Sequence, residues 1–198
     1  MNMRERIMNA AERVIREKGL PKCTTKEIAE EAQCSEGAMY RHFRSKEELF
    51  LAVLAERMPG LLPVLRDLPG QLDAGEDVRA TLERVTEEAL AFYRESIPMT
   101  LSVFSEPKLM VSHRSWMQEN QVGPHRAVEL LAAYLESAKR AGAVGAEVDP
   151  DASARLLLGA CFLSAYNEEL MPTSPPSDRA VQTRALVDQL WRALAAPA

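Results

Sequence analysis

Cysteine is scarce in this chain: Cys23, Cys34 and Cys161 stand far apart in 198 residues, with no C-x-x-C pair among them. That excludes a disulfide-stapled framework and a zinc knuckle, and it fits a reducing cytoplasm. Long hydrophobic runs are missing too. The longest, about 156–166, is too short and too interrupted by polar residues to span a bilayer, and no basic-then-apolar leader opens the sequence. The expectation is a cytoplasmic protein with no membrane partner. Neither sign of charge dominates: 24 Lys and Arg against 29 Asp and Glu give −5, whereas proteins that coat nucleic acid indiscriminately are strongly basic. Catalytic signatures are likewise lacking. There is no G-x-S-x-G, P-loop or paired-carboxylate arrangement, and His113 and His125 lack the Cys or carboxylate companions of a metal or acid/base site. No enzyme, metal site or cofactor is expected. What the chain does have is 46% hydrophobic and 27% charged residues, enough for a substantial core.

Residues 24–50 read TTKEIAEEAQCSEGAMYRHFRSKEELF and hold three helix starts and two tight breaks. Thr24 and Glu27 form a T-x-x-E capping box, and Ile28, Ala29 and Ala32 give the helix behind it an apolar stripe ending around Gln33. Ser35 caps a second helix carrying Glu36 to His42, in which Met39 and Phe43, spaced i, i+4, hold the core side. On its free face, Gly37 and Ala38 allow close approach, while Tyr40, Arg41 and His42 offer polar donors. Ser45 and Glu48 read as a second capping box, starting a third helix at Lys46 that Pro59 stops. The amino end of that helix, beside Arg44 and Lys46, is expected to receive a phosphate.

Gly19, Thr24-Thr25-x-x-Ile28-Ala29, Ser35-x-Gly37-x-x-Tyr40-x-x-Phe43 and Ser45-Lys46-Glu47-Glu48-Leu49-Phe50, in this order, closely resemble the amino-terminal domain of the TetR/AcrR family of bacterial transcriptional regulators. The resemblance is strong over residues 1 to about 55 and architectural beyond. It implies that Thr25, Tyr40, His42 and Lys46 touch phosphates, and that Ser35, Glu36, Gly37, Ala38 and Arg41 face the DNA groove. Three positions depart from the family pattern. Gln33 and Cys34 stand where a glycine and an apolar residue are usual, and Glu36 stands where a basic residue is common. A left-handed turn costs Gln roughly 1 kcal/mol more than Gly. Glu36 repels phosphates but can accept from a cytosine amino group, so the base preference of relatives with Lys or Arg does not transfer. Cys34 reads as a small turn residue rather than a redox sensor.

Elsewhere the chain is written as helices. Ile7, Met8, Ala11, Val14 and Ile15 recur at helical spacing up to Gly19. Pro and Gly at 59, 60, 63, 69 and 70 leave room for at most a short helical piece between reader and sensor. Val78, Leu82, Val85, Ala89 and Phe92 mark a long helix that Pro98 bends or ends, with further helices at about 99–105 and 108–121. Val128, Leu131, Leu135 and Ala138 define another that Gly142 closes. Asp149 and Pro150 start one that runs to about Leu170 and is apolar nearly all round between Leu156 and Tyr166. After the Pro-containing loop 171–177 comes a last helix with Leu186, Val187, Leu190, Trp191 and Leu194.

The fold class is therefore all-α: a three-helix helix-turn-helix DNA-binding domain over 1–55, then a helical ligand-sensing and dimerisation domain over 56–198. Aromatic residues are only 6% of the chain, yet with Met they gather between 88 and 170, where they serve either as plain core or as the lining of an adaptable apolar pocket. Phe92, Phe104, Trp116, Tyr134 and Tyr166 are the pocket candidates. The resemblance implies a homodimer through the two carboxy-terminal helices, double-stranded operator DNA as partner, and a largely apolar small-molecule effector. The function expected is ligand-responsive transcriptional regulation, most simply repression at a near-palindromic operator. A non-specific architectural DNA binder, and a helical carrier or enzyme with a vestigial reader, are the alternatives.

Overall fold

The protein is described by a computed structural model covering residues 2–19, 22–57, 60–73, 75–104, 106–171 and 178–195; these contain eleven helices and no strand. The helices pack as two compact units, Met1–Met58 with Glu95–Glu119, and Pro59–Arg94 with Asn120–Ala198.

The first unit begins with α1 (Met3–Lys18), whose Asn2 side chain accepts from the Glu5 amide and whose stripe Ile7, Met8, Ala11, Val14 and Ile15 is buried. Gly19 ends it at φ 73°, a conformation that disfavours any residue with a Cβ. Against α1 lie α2 (Thr25–Glu31) and α4 (Lys46–Arg57), with α3 (Glu36–Tyr40) between them in sequence. Their core gathers Ile28, Met39, Phe43, Leu49, Phe50 and Val53, together with Met99, Val103 and Leu109 from later in the chain.

The second unit opens on α5 (Leu61–Arg66) and α6 (Leu68–Asp73). Here the sequence reading needs correction: the Pro/Gly-rich stretch holds two short helices, and Leu61, Leu65 and Leu68 are core residues. Pro63 is third in α5 and Pro69 second in α6, positions whose N–H has no partner within a helix, so proline costs little there. Gly60 is required for a different reason, because a Cβ on it would lie 2.8 Å from the Pro63 ring. Pro59, expected to stop α4, lies outside the described residues.

Pro98 was expected to bend or end the next helix, but α7 (Val78–Phe104) continues through it, so the separate helix expected at about 99–105 is part of α7. An interior proline costs about 3 kcal/mol. Burial of Ile97, Met99 and Val103 around it offsets that, at about 1.5–3 kcal/mol for each fully buried side chain. In the following turn the Thr100 hydroxyl donates back to the Ser96 carbonyl at 2.8 Å, with the Ile97 carbonyl at 3.2 Å. Then follow α8 (Pro107–Glu119), α9 (Pro124–Arg140), α10 (Pro150–Leu170) and α11 (Arg179–Leu194). Gly142 (φ 74°) follows the end of α9, and Asp149 caps α10 by accepting from the Ala152 amide, both as the sequence indicates. Most of the loop 171–177 lies outside the described residues.

The face of α10 that meets α9 and α11 buries Ala154, Leu157, Leu158, Cys161 and Ala165, and burial pushes the Cys161 thiol up to about 12. Away from that face Leu156, Leu163 and Leu170 are exposed, and Phe162 is partly so.

Candidate nucleic-acid interface

The reader is built from its caps outward. The Thr24 hydroxyl accepts from the Glu27 amide at 3.2 Å and the Glu27 carboxylate accepts from the Thr24 amide at 3.0 Å, the reciprocal box the sequence predicts. Lys18 donates to the same carboxylate at 2.7 Å and, with the Thr24 bonds, holds it down at about 2.

After α2 the chain turns at Gln33 with φ 52°. The Gln33 amide donates to the Glu30 carbonyl and the Cys34 amide to the Ala29 carbonyl, a Schellman closure with glutamine at the position glycine favours. Arg6 reaches across from α1 and donates to the Ala32 and Gln33 carbonyls at 2.6 and 3.1 Å. No local sequence signal marks Arg6 for that task, because the partners are backbone atoms 26 and 27 residues away. Gln33→Gly removes the left-handed penalty and leaves the Arg6 contacts intact, so it is expected to raise stability by up to about 1 kcal/mol in chemical denaturation. A loss of stability would show instead that the glutamine side chain holds the turn.

Ser35 caps α3 by accepting from the Ala38 amide at 3.1 Å, and Met39 and Phe43 are buried beneath it. The α-helix ends at Tyr40, so Arg41 and His42 occupy the turn after it rather than its last residues. Ser35, Glu36, Gly37, Tyr40, Arg41 and His42 are exposed, whereas Thr25 and Lys46 are half-buried. Ala38, expected on the groove-facing part, is buried, at 7% exposure. The Thr25 hydroxyl donates to the Glu36 carboxylate at 2.7 Å.

At the start of α4 the expected box is displaced by one residue: Ser45 accepts from the Glu48 amide at 3.1 Å, but Glu48 accepts from the Arg44 amide at 2.7 Å. The Glu47 carboxyl is held below its ordinary range by its own backbone amide, the Ser45 hydroxyl and the nearby Lys46 and Lys108. Two carboxylates therefore already engage backbone amides at this end of α4.

The pocket candidates do not converge on one cavity. Phe104 is 74% exposed, and Trp116 stacks on His113 at 6.2 Å, both in the first unit. In the second unit Phe92 meets Tyr93, Tyr93 meets Phe162 at 5.5 Å and Phe162 stacks on Tyr166 at 6.0 Å, a line of rings joining α7 to α10. Tyr134 is fully buried among the leucines of α5, α6 and α9; its hydroxyl lies near that of Thr81, without the geometry of a hydrogen bond to it. A cavity of about 180 Å³ opens elsewhere in this unit, lined by Glu87, Leu90, Arg94, Arg179 and Thr183. Beside it Arg94 makes a bidentate pair with Glu168, at 2.7 and 3.0 Å, and donates to Gln182, tying α7 to α10 and α11.

Among the described residues no helix is long and apolar enough to cross a membrane, and no group of three His, Cys, Asp or Glu could hold a metal ion.

Comparison with known proteins agrees with this geometry. The family described as bacterial regulatory proteins, tetR family, matches residues 7–53. The nicotine-responsive transcriptional repressor HdnoR of Paenarthrobacter nicotinovorans is 30% identical over 125 residues, 63% of this chain and 58% of that protein. The chain thus matches somewhat over half the length of that relative. The transcriptional repressor KstR2 of Rhodococcus jostii is 25% identical over 154 residues, 78% of this chain and 74% of that one. A crystal structure of a TetR-family regulator from Mesorhizobium loti superposes with a TM-score of 0.75 at 20% identity, covering 98% of this chain and 96% of that one. The capped helix-turn-helix and the family match across it lead to one conclusion: residues 7–53 form the domain shared by bacterial regulatory proteins of the tetR family, within a chain of the same all-α fold.

Proposed function

We propose that the protein is a cytoplasmic, ligand-responsive transcriptional repressor that binds a near-palindromic operator as a homodimer and is released by a small molecule taken up in its carboxy-terminal helices. The observation that carries this reading is the exposed row Ser35, Glu36, Gly37, Tyr40, Arg41 and His42, presented on and just after a short helix fixed from both sides by capped turns. Such a face enters a major groove, with Arg41 bonding a base edge and Lys46, Tyr40 and His42 holding phosphates. The dimer forms through α10 and α11. The effector is largely apolar, received near Phe92 and Tyr166, and it acts by favouring a sensor state in which the two readers are wrongly spaced. A coupling of about 1–3 kcal/mol, roughly 5- to 150-fold in affinity, suffices for release.

Selection of bound fragments from a random duplex library, at near-physiological salt with excess competitor DNA, tests the reading. A palindrome is expected to emerge; binding that yields no preferred sequence would mark an architectural protein, and effector binding without any operator would mark a carrier. Within that assay Arg41→Ala is expected to relax the preference at one position of each half-site. Lys46→Ala is expected to weaken all sequences alike and to lower the salt slope by about 1 per reader. Equal behaviour of the two variants would refute their assignment.

A further inference from the structure

We infer that Thr25 is a positioning residue for Glu36, and that the pair reads a cytosine in each half of the operator; this rests on the regulator reading above. Thr25 opens α2 and Glu36 opens α3, and the Thr25 hydroxyl donates to Glu36 Oε2 at 2.7 Å. A hydroxyl has one proton. Spent on Glu36, it is not available to a phosphate, and the carboxylate beside it repels phosphate oxygens. Thr25 therefore does something other than what its place in the family pattern implies.

The effect on Glu36 is to fix an otherwise free side chain. An exposed glutamate samples many rotamers, and the charge-assisted bond selects one of them before DNA arrives. Glu36 is exposed, and an ionised carboxylate only accepts. In the major groove, guanine offers the acceptors N7 and O6 and thymine offers O4, all of which repel it. Adenine places its amino donor next to the N7 acceptor. Cytosine presents its N4 amino group, the partner that suits a carboxylate. Arg41, exposed after the same short helix, is a donor only. The reader thus carries an acceptor and a donor that demand different bases.

The test is library selection with the full-length protein and its Glu36→Gln, Thr25→Val and Thr25→Ser variants, with helical content checked for each. Wild type is expected to fix cytosine at one position of each half-site. Glu36→Gln should move that position to adenine, whose N6 and N7 suit an amide. Thr25→Val should lower discrimination at that same position about tenfold while the others hold, and Thr25→Ser should restore it. If Thr25→Val instead weakens every sequence equally, Thr25 is a phosphate donor and the inference fails. Glu36→Gln selecting the wild-type site unchanged also overturns it. A wild type that enriches no sequence refutes the regulator reading, and the inference with it, whereas an enriched palindrome indifferent to Glu36 refutes the inference alone.

Discussion

Leu163→Glu combined with Leu156→Glu is expected to leave a folded monomer whose affinity for the palindromic operator has fallen roughly 100-fold or more. Leu156 and Leu163 are 67% and 56% exposed, and Phe162, Leu170 and, on α11, Val181 are exposed as well. A carboxylate at such positions costs the single chain little, because water already reaches them. Buried against a second copy, the same charge would lose its hydration without a partner, a penalty of several kcal/mol for each ion. Gly159 lies on the same exposed face of α10, with nothing within 4 Å of where its Cβ would be. A mid-helix glycine costs about 1 kcal/mol against alanine. No contact among the described residues calls for it, but a helix from a second copy crossing there would. Sedimentation and binding to full and half operators measure the outcome. A variant that still sediments as a dimer would move the interface away from α10, and one that became monomeric with full affinity would break the link between dimerisation and operator reading.

How much of this could be read from residues alone depended on whether the cause was local. Thr24 with Glu27, Ser35 and Asp149 act on amides three residues away, so sequence spacing exposes them and the structure has each bond in place. The left-handed turn at Gln33 was expected only through the family resemblance, which puts a glycine there, and the structure has Gln33 at φ 52°. The two short helices at 61–73 were less so, because Pro and Gly that usually punctuate a loop also fit a first helical turn. Continuation of α7 through Pro98 depends on burial of Met99 and Val103 against residues distant in sequence. The Arg6 cap and the bond from Thr25 to Glu36 join residues far apart in sequence, beyond the reach of spacing rules. Aromatic residues were legible as a group but not by role. The same composition describes buried Tyr134, exposed Phe104 and the ring contacts of Phe162, and only packing tells them apart.

Phe50→Ala is expected to abolish operator binding at 37 °C by unfolding the reader while most of the second unit keeps its helices. Phe50 is fully buried on α4, in the cluster that includes Ile7, Met8, Ile28, Met39 and Phe43. Removing a core phenylalanine costs about 3–5 kcal/mol, which rivals the entire stability of a small domain. The second unit has its own cluster around Leu82, Leu131, Leu135 and Leu158, none of which touches that loss. Calorimetry should therefore show two transitions, with Phe50→Ala lowering one and Leu131→Ala, at about 2–5 kcal/mol, lowering the other. A single transition shifted equally by both variants would mean that the two cores unfold together. The helix to watch is α7, which gives Leu82, Val85 and Ala89 to one core and Met99 and Val103 to the other. Hydrogen exchange along it should lose protection after Pro98 in Phe50→Ala and keep it before. That pattern would place the energetic boundary at Pro98, whose ring nitrogen carries no hydrogen to donate.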